Sequence, residues 1–259
     1  MPPLVSVVMT VYNEERYVTS AVNSILAQDG VDLELIVVDD GSTDGSLAVL
    51  TAVQDPRIRL VAQSHAGIVA ALNTGVALAR GEYIARMDAD DIALPGRLAR
   101  QAAFLRAHSE VGLVGTACTR VDPAGRPLGD YRPPCDDYTL RRALVRDNPF
   151  VHGTVMFRRE AIEQAGGYRR DSRWEDYDLW IRIARWWRVA NLPEVLLVRR
   201  ERTDSLSRRV RRSAAYRHRL ALQLRAARQL GVISPALVYI PRSAAQFLLH
   251  RARELLTGS

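Results

Sequence analysis

The apolar positions of this chain fall into short runs that end in charge. Leu4-Val5-Ser6-Val7-Val8-Met9 has the length and composition of a buried strand and stops at Thr10-Val11-Tyr12-Asn13. Val18, Ala21, Val22, Ile25 and Leu26 then recur at helical spacing. Asn13 is the predicted N-cap of that helix, and Glu14 and Glu15 suit its positive start. Leu33–Val38 predicts a second strand, closed by Asp39-Asp40-Gly41-Ser42-Thr43-Asp44. Ser42 or Asp44 would cap a helix running through Leu47 and Leu50. Ile58–Ala62 reads as a third strand, and Ile68–Ala79 as a helix closed by Arg80 and Gly81. A fourth run, Tyr83–Met87, breaks abruptly into Asp88-Ala89-Asp90-Asp91. Three alternations of strand and helix imply parallel strands joined by right-handed crossovers.

The second half is less regular. Pro95–His108 predicts a helix with proline at an early position, and Val111–Thr119 a strand. Residues 122–136 hold four prolines and read as a connector or hairpin. Thr139–Arg146 is helical, Val151–Phe157 strand-like, and Arg159–Ala165 a short helix stopped by Gly166-Gly167. Trp174-Glu175-Asp176-Tyr177-Asp178 opens another helix, and Val195–Val198 is the last predicted strand. Residues 214–230 and 236–256 predict two C-terminal helices. An apolar stripe of Leu237, Ile240, Ala244, Phe247, Leu248 and Leu255 marks the second. For that helix three outcomes stay open: packing on the core, dimerisation, or peripheral contact with an anionic membrane.

In open α/β sheets, ligands bind at the carboxyl ends of the strands. Here those ends carry Asp39-Asp40 and Asp88-Ala89-Asp90. Clustered carboxylates repel unless a cation lies between them, and hard oxygen ligands suit Mg²⁺ or Mn²⁺. A metal–diphosphate site is one reading of the acidic turn; a solvated helix cap is the other. No Gly-x-Gly-x-x-Gly follows the first strand, which argues against a dinucleotide-binding dehydrogenase. A Gly-Lys-Ser/Thr phosphate loop is also missing. Phosphates bound here would therefore need a cation to neutralise them.

Composition narrows the picture further. A length of 259 residues with 47% hydrophobic content suits one large domain, or a domain with an extension. The expected division is residues 1–212, with a nucleotide half at 1–110 and an acceptor half at 111–212, followed by a helical extension at 213–259. The net charge is +7, and every one of the 36 basic residues is arginine. Seven of them lie between Arg199 and Arg212, around Ser205-Leu206-Ser207. That segment would either close over a diphosphate or be a solvated linker. Cys118 and Cys135 show no metal-binding spacing. The first apolar run is too short for a signal core, and no stretch is long enough to span a membrane. A cytoplasmic protein is the resulting expectation, with peripheral attachment at the inner membrane face as its variant.

Four motifs stand in order: Val5–Glu14, Val37–Asp44, Met87–Asp91 and Trp174–Trp180. Together they resemble the large inverting family of nucleotide-sugar glycosyltransferases typified by cellulose synthase and bacterial capsule and O-antigen transferases. The resemblance covers residues 4–210. It implies the GT-A fold, a Rossmann-like, mostly parallel sheet flanked by helices, here with a C-terminal helical extension. It implies that Thr10, Tyr12 and Glu14 line the nucleotide pocket, and that Asp40, with Asp39 beside it, accepts the base N–H of a UDP- or dTDP-sugar. Asp88 and Ala89 would border the ribose and metal, with Asp90, and in part Asp88, ligating Mn²⁺ or Mg²⁺. Asp176 corresponds to the catalytic base. Glu175, Trp180 and His152 would border the acceptor, although a satisfied core histidine is the alternative for His152.

The resemblance also implies a saccharide or lipid-linked acceptor, no nucleic-acid partner, and a role in cell-surface polysaccharide or glycolipid synthesis. A homodimer stays open. The Gln-x-x-Arg-Trp motif of processive members is absent, so one sugar per event is expected. Arg199, Arg200 and Arg202 stand where many members carry a histidine before the Ser-x-Ser element. Two competing classes fit the motifs less well. A sugar-1-phosphate nucleotidyltransferase would need a glycine-rich basic loop where Thr10–Glu14 stand. A non-catalytic module binding nucleic acid or membrane through the arginine-rich tail would have no use for Asp88, Asp90 and Asp176 together.

Overall fold

The computed structural model of the chain describes residues 4–170, 172, 174–202 and 212–232. Strand β1 (Val5–Val11), helix α1 (Val18–Leu26), β2 (Leu33–Asp39), α2 (Ser46–Thr51), β3 (Ile58–Ala62), α3 (Ile68–Leu78) and β4 (Tyr83–Asp88) form the first half. The second half holds β5 (Ile92–Ala93), α4 (Arg97–Ala107), β6 (Val111–Val121), β7 (Pro127–Tyr131), α5 (Asp137–Arg146), β8 (Met156–Arg158), α6 (Arg159–Ala165), α7 (Glu175–Ile183), β9 (Arg188–Arg200) and α8 (Arg212–Leu230). The predicted second C-terminal helix and Ser205-Leu206-Ser207 lie outside the described residues.

Among the described residues the strands form one sheet in the order β3-β2-β1-β4-β8-β6-β9-β5. The first four are mutually parallel, as the alternation of strand and helix implies. Burial of β1, β2 and β4 on both faces explains why they read as nearly unbroken apolar runs. Strand β8 runs antiparallel to both β4 and β6, which turns β6 and β9 back into the direction of β4. Strand β9 covers one edge of β6 along its length. The other edge is shared by β8 at Leu113 and Val114 and by β7 at Cys118–Val121. The proline-rich connector is thus a hairpin.

Register sets the site. Thr10 pairs with both Val38 and Asp88, and Val11 pairs with Asp39. The acidic strand ends therefore stand side by side along one edge of the sheet. Apolar clusters cover both faces, one built on α1, α4 and the Val5/Val7/Met9 side of β1, the other on α3, α5, α6 and α7. Helix α8 joins the second cluster through Leu222 and Ala226, both buried. Gln223 of α8 donates to the carbonyl of Arg146, and Arg225 pairs with the buried Asp178 of α7.

Several local expectations need correction. Asn13 is not a helix cap: it sits in the left-handed region at φ 58°, which asparagine tolerates, and its Oδ1 accepts from Thr43 N–H. Helix α1 starts later, after Tyr17. Ser42 does not cap α2, because its Oγ accepts from Asn13 N–H; Asp44 Oδ1 accepts from Ser46 N–H at the helix start. Pro95 precedes α4 rather than entering it, and Gly96 at φ 75° makes the turn. Residues 151–157 are not one strand. His152–Thr154 form a single 3-10 turn, and only Met156–Arg158 pair. Strand β9 extends far beyond the predicted Val195–Val198.

Candidate active site

The acidic turn after β4 is the centre of the site. Asp88 pairs with Arg86, two residues earlier on the same strand face and only 2% exposed. Arg86 escaped the sequence reading, although a lone charge in an apolar strand, spaced two from an aspartate, was the available signal. Asp90 follows, its carboxyl raised to about 6 by burial and by Asp88. Asp91 is almost wholly buried; burial and its two acidic neighbours hold it well above the usual range. Its Oδ1 accepts from Arg200 N–H at 2.9 Å, which ties the turn to the end of β9. Ala89 is buried between these groups. The 3-10 turn presses against them: a Cβ on Gly153 would lie 2.7 Å from Asp91 Oδ2 and 3.1 Å from Asp88 Oδ2. A glycine there allows the approach.

The β1 end supplies the next wall. Glu14 receives Arg202 Nη1 at 2.8 and 2.6 Å, and the same nitrogen stands 4.0 Å from Asp90 Oδ2. Burial and Asp90 push Glu14 up to about 7, against the opposing pull of Arg202. Tyr12 is exposed and stacks on His65, with ring centroids 4.2 Å apart. Thr10 is half-buried beside Asp88.

Asp39 and Asp40 are buried at the end of β2 and its following residue. Asp40 Oδ1 accepts from Gln63 Nε2 and Ala66 N–H, and Oδ2 from Gly67 N–H, at 2.7–3.0 Å, while His65 Nδ1 stands 3.0 Å from the Asp40 carbonyl oxygen and 2.9 Å from Oδ2. Both carboxylate oxygens are thus engaged by residues 63–67. Asp39 Oδ2 accepts from Ser42 N–H, while Oδ1 is buried with no hydrogen-bond partner among the described residues.

The second acidic pair opens α7. Asp176 Oδ2 accepts from Asn148 Nδ2 at 2.7 Å, and Oδ1 from its neighbour's Tyr177 N–H at 2.6 Å. Burial raises Asp176 above the usual carboxylate range, and these bonds oppose the rise. Burial and Asp176 raise Glu175 to about 7. Arg86 exerts a favourable field on both, so one buried guanidinium serves both acidic groups.

The acceptor wall needs revision. Trp180 and Tyr177 are fully buried in the core cluster, so neither lines open space. Trp180 supports the site from beneath, edge-on to His152 at 5.7 Å. His152 has the partner expected of a core histidine: Nε2 lies 2.9 Å from Tyr168 Oη. Burial and Arg86 hold its pKa well below the usual value, so the ring is neutral.

The family model for glycosyl transferase family 2 matches residues 6–166. This chain belongs to that family. Among relatives, EpsE of Bacillus subtilis is 38% identical over 215 residues, spanning 80% of this chain and 76% of its own length. The amylovoran biosynthesis glycosyltransferase AmsE of Erwinia amylovora is 31% identical over 261 residues, spanning 97% of each. The fold is similar to that of two solved structures. The mannosyltransferase PcManGT of Pyrobaculum calidifontis, solved with GDP-Man and Mn²⁺, superposes with a TM-score of 0.70 at 25% identity, over 100% of this chain and 77% of its own. Staphylococcus aureus TarS, solved with UDP-GlcNAc, gives 0.71 at 20% identity, over 89% and 70%. The GT-A fold expected from the four motifs is the fold observed. No helix among the described residues is long and apolar enough to cross a membrane.

Proposed function

We propose that this family 2 glycosyltransferase performs a metal-dependent, inverting transfer of one sugar per event from a nucleotide-diphosphate sugar to an acceptor hydroxyl. The observation that carries this reading is the division of carboxylates around Arg86. One set is crowded at the end of β4; the other is held at the start of α7 by a neutral amide. AmsE, similar along almost the whole chain, is named for amylovoran biosynthesis, which supports polysaccharide assembly as the setting.

The crowded set fits a divalent ion. Asp88 and Asp90 offer hard oxygens two residues apart, and their side chains are 36% and 20% exposed, so both are reachable. Among the described residues no three His, Cys, Asp or Glu side chains form a closed cage. Mg²⁺ and Mn²⁺ characteristically take one or two carboxylates and complete their shell with substrate phosphates. When bound, such an ion stabilises the charge developing on the departing diphosphate. The complex of PcManGT with Mn²⁺ supports the same assignment.

The residues of the chain divide the remaining work. Asp176, oriented by Asn148, takes the proton of the acceptor hydroxyl. Burial raises its pKa and the Asn148 and Tyr177 bonds oppose the rise, so the carboxylate is a better proton acceptor than a solvated one. Glu175 borders the acceptor. Thr10, Tyr12 and Glu14 line the nucleotide, and Arg202 adds positive charge beside Asp90 for the diphosphate. Asp40, with Asp39, reads the base N–H of a UDP- or dTDP-sugar. For Asp40 to do so, the Gln63 or His65 side chain must yield its place, whereas Asp39 Oδ1 is still unspent.

A thermal-shift screen of UDP, dTDP, GDP and CDP, each with and without Mn²⁺, tests the reading. A ligand at about 100 times its Kd stabilises by about 2.7 kcal/mol. Metal-dependent stabilisation, largest for UDP or dTDP, is the expected result. A preference for GDP, the nucleotide bound to PcManGT, would overturn the pyrimidine assignment. Stabilisation by none of the four would overturn the donor site.

A further inference from the structure

Tyr17, which lies outside all four motifs' assigned roles, is surrounded by arginine. The guanidinium carbons of Arg200, Arg16 and Arg202 lie 4.5, 5.2 and 5.7 Å from its ring centroid. Its hydroxyl donates to the Pro123 carbonyl, which also accepts from Arg200 Nη1. The ring thus stands where three segments meet: the start of α1, the β6–β7 turn and the end of β9. From there Arg200 reaches the acidic turn, its N–H on Asp91 Oδ1 and its Nε on the Asp90 carbonyl. Arg202 reaches Glu14 and faces Asp90. Tyr17, Arg202, Glu14 and Pro123 line one groove of about 890 Å³.

We propose that Tyr17 is a positioning residue for the donor diphosphate: its ring holds Arg200 and Arg202 so that Arg202 presents its charge beside Asp90. The proposal rests on the donor-site reading above. Two arguments carry it. A long arginine side chain has many rotamers, and a flat π surface removes most of them while leaving the charge intact. Arg202 also lies two residues past the end of β9, beyond the bond of Glu201 N–H to the Val121 carbonyl, so strand pairing does not fix its side chain. Glu14 holds the end of Arg202, and the ring of Tyr17, at the N-cap of α1, faces its guanidinium. The hydroxyl matters less, because its bond to Pro123 is long, at 3.4 Å.

The test uses the full chain and titration calorimetry with UDP and with GDP, each with Mn²⁺. Tyr17→Leu is expected to weaken binding about tenfold, the size of a lost stacked cation pair with its ordering. Tyr17→Phe, which keeps the ring, is expected to stay within about twofold of wild type. In an Arg202→Gln background, Tyr17→Leu is expected to add less than about twofold, because coupled neighbours are not additive. If Tyr17→Leu folds poorly, Tyr17→Gln carries the same cycle without a π face. Additive losses, or a Phe variant as weak as Leu, would overturn the positioning role. Unchanged binding in Arg202→Gln alone would instead overturn the placement of Arg202 on the diphosphate, and with it the route by which Tyr17 acts.

Discussion

The two acidic groups of the site are alike in composition and unlike in construction. Asp88, Asp90 and Asp91 stand at and just past the end of a central strand: Arg86 pairs with Asp88, Arg202 stands beside Asp90, and the backbone N–H of Arg200 holds Asp91. Glu175 and Asp176 begin a helix, and the side chain bonded to Asp176 is the neutral Asn148. Carboxylates crowded in a buried turn repel one another, which raises Asp90 to about 6 and Asp91 well above the usual range, and a bound divalent cation relieves that repulsion. A carboxylate buried beside a neutral amide keeps a raised pKa and can take a proton. The difference teaches that the division of labour follows from the partners of the carboxylates rather than from their number.

Substitutions should separate the two groups. Asp176→Asn preserves shape and hydrogen bonding but cannot accept a proton near neutral pH. Transfer is expected to fall about 10²–10⁴-fold in kcat, with metal-dependent nucleotide affinity unchanged. A helix-start charge alone would contribute only about 0.3–1 kcal/mol of stability, so an active, slightly less stable variant would refute the base assignment. Glu175 or Asp178 would then be the next candidate, with Asp178 disfavoured because Arg182 and Arg225 already hold it.

Asn148→Ala sharpens the same contrast with a smaller effect. Its amide stabilises the ionised form of Asp176, so its loss raises that pKa further. A hydrogen bond to a charged group contributes about 1.5–3 kcal/mol, which sets an expected loss of about tenfold or more in kcat. The acidic limb of the pH–rate profile should move to higher pH. An unmoved limb would show that Asn148 does not tune the base.

The smallest expected effect concerns Glu175. Its folded pKa of about 7 lies above the usual 4.5, so the folded state binds this proton more tightly than the unfolded chain does. Wild-type stability therefore falls as pH rises from about 4.5 through about 7. Glutamine does not titrate. Glu175→Gln should gain on wild type by at most about 2–3 kcal/mol between pH 5 and pH 8, measured by denaturant unfolding at each pH. An equal difference at both values would show that Glu175 is not held in its raised state.

How much of this was legible in the sequence differs between the halves. Strands β1, β2 and β4 are buried on both faces, so each reads as an apolar run ending in a polar triplet. The motifs at those ends placed Thr10, Asp39 and Asp88 correctly along one edge. In the second half, tertiary contacts override local pattern. Val151–Phe157 has strand composition, yet His152–Thr154 turn because Gly153 must meet the acidic turn. Strand β9 is interrupted by Pro193 and Glu194 on its exposed side, which hid its length. Aromatic residues near Asp176 suggested a wall for the acceptor, but sequence distance cannot tell a lining ring from a supporting one, and Trp180 supports. The arginines of residues 199–202 were legible as candidates for the diphosphate, but sequence distance hid their partners. Arg200 meets Asp91 across 109 positions, and Arg202 meets Glu14 across 188.

The most direct measurement is a titration of UDP with Mn²⁺, or of whichever nucleotide the screen selects, into wild type, Asp90→Ala and Asp176→Asn side by side. Metal-dependent affinity should be lost in Asp90→Ala and retained in Asp176→Asn. Equal affinity in wild type and Asp90→Ala with metal present, or loss in Asp176→Asn, would contradict the division of the carboxylates between donor and base.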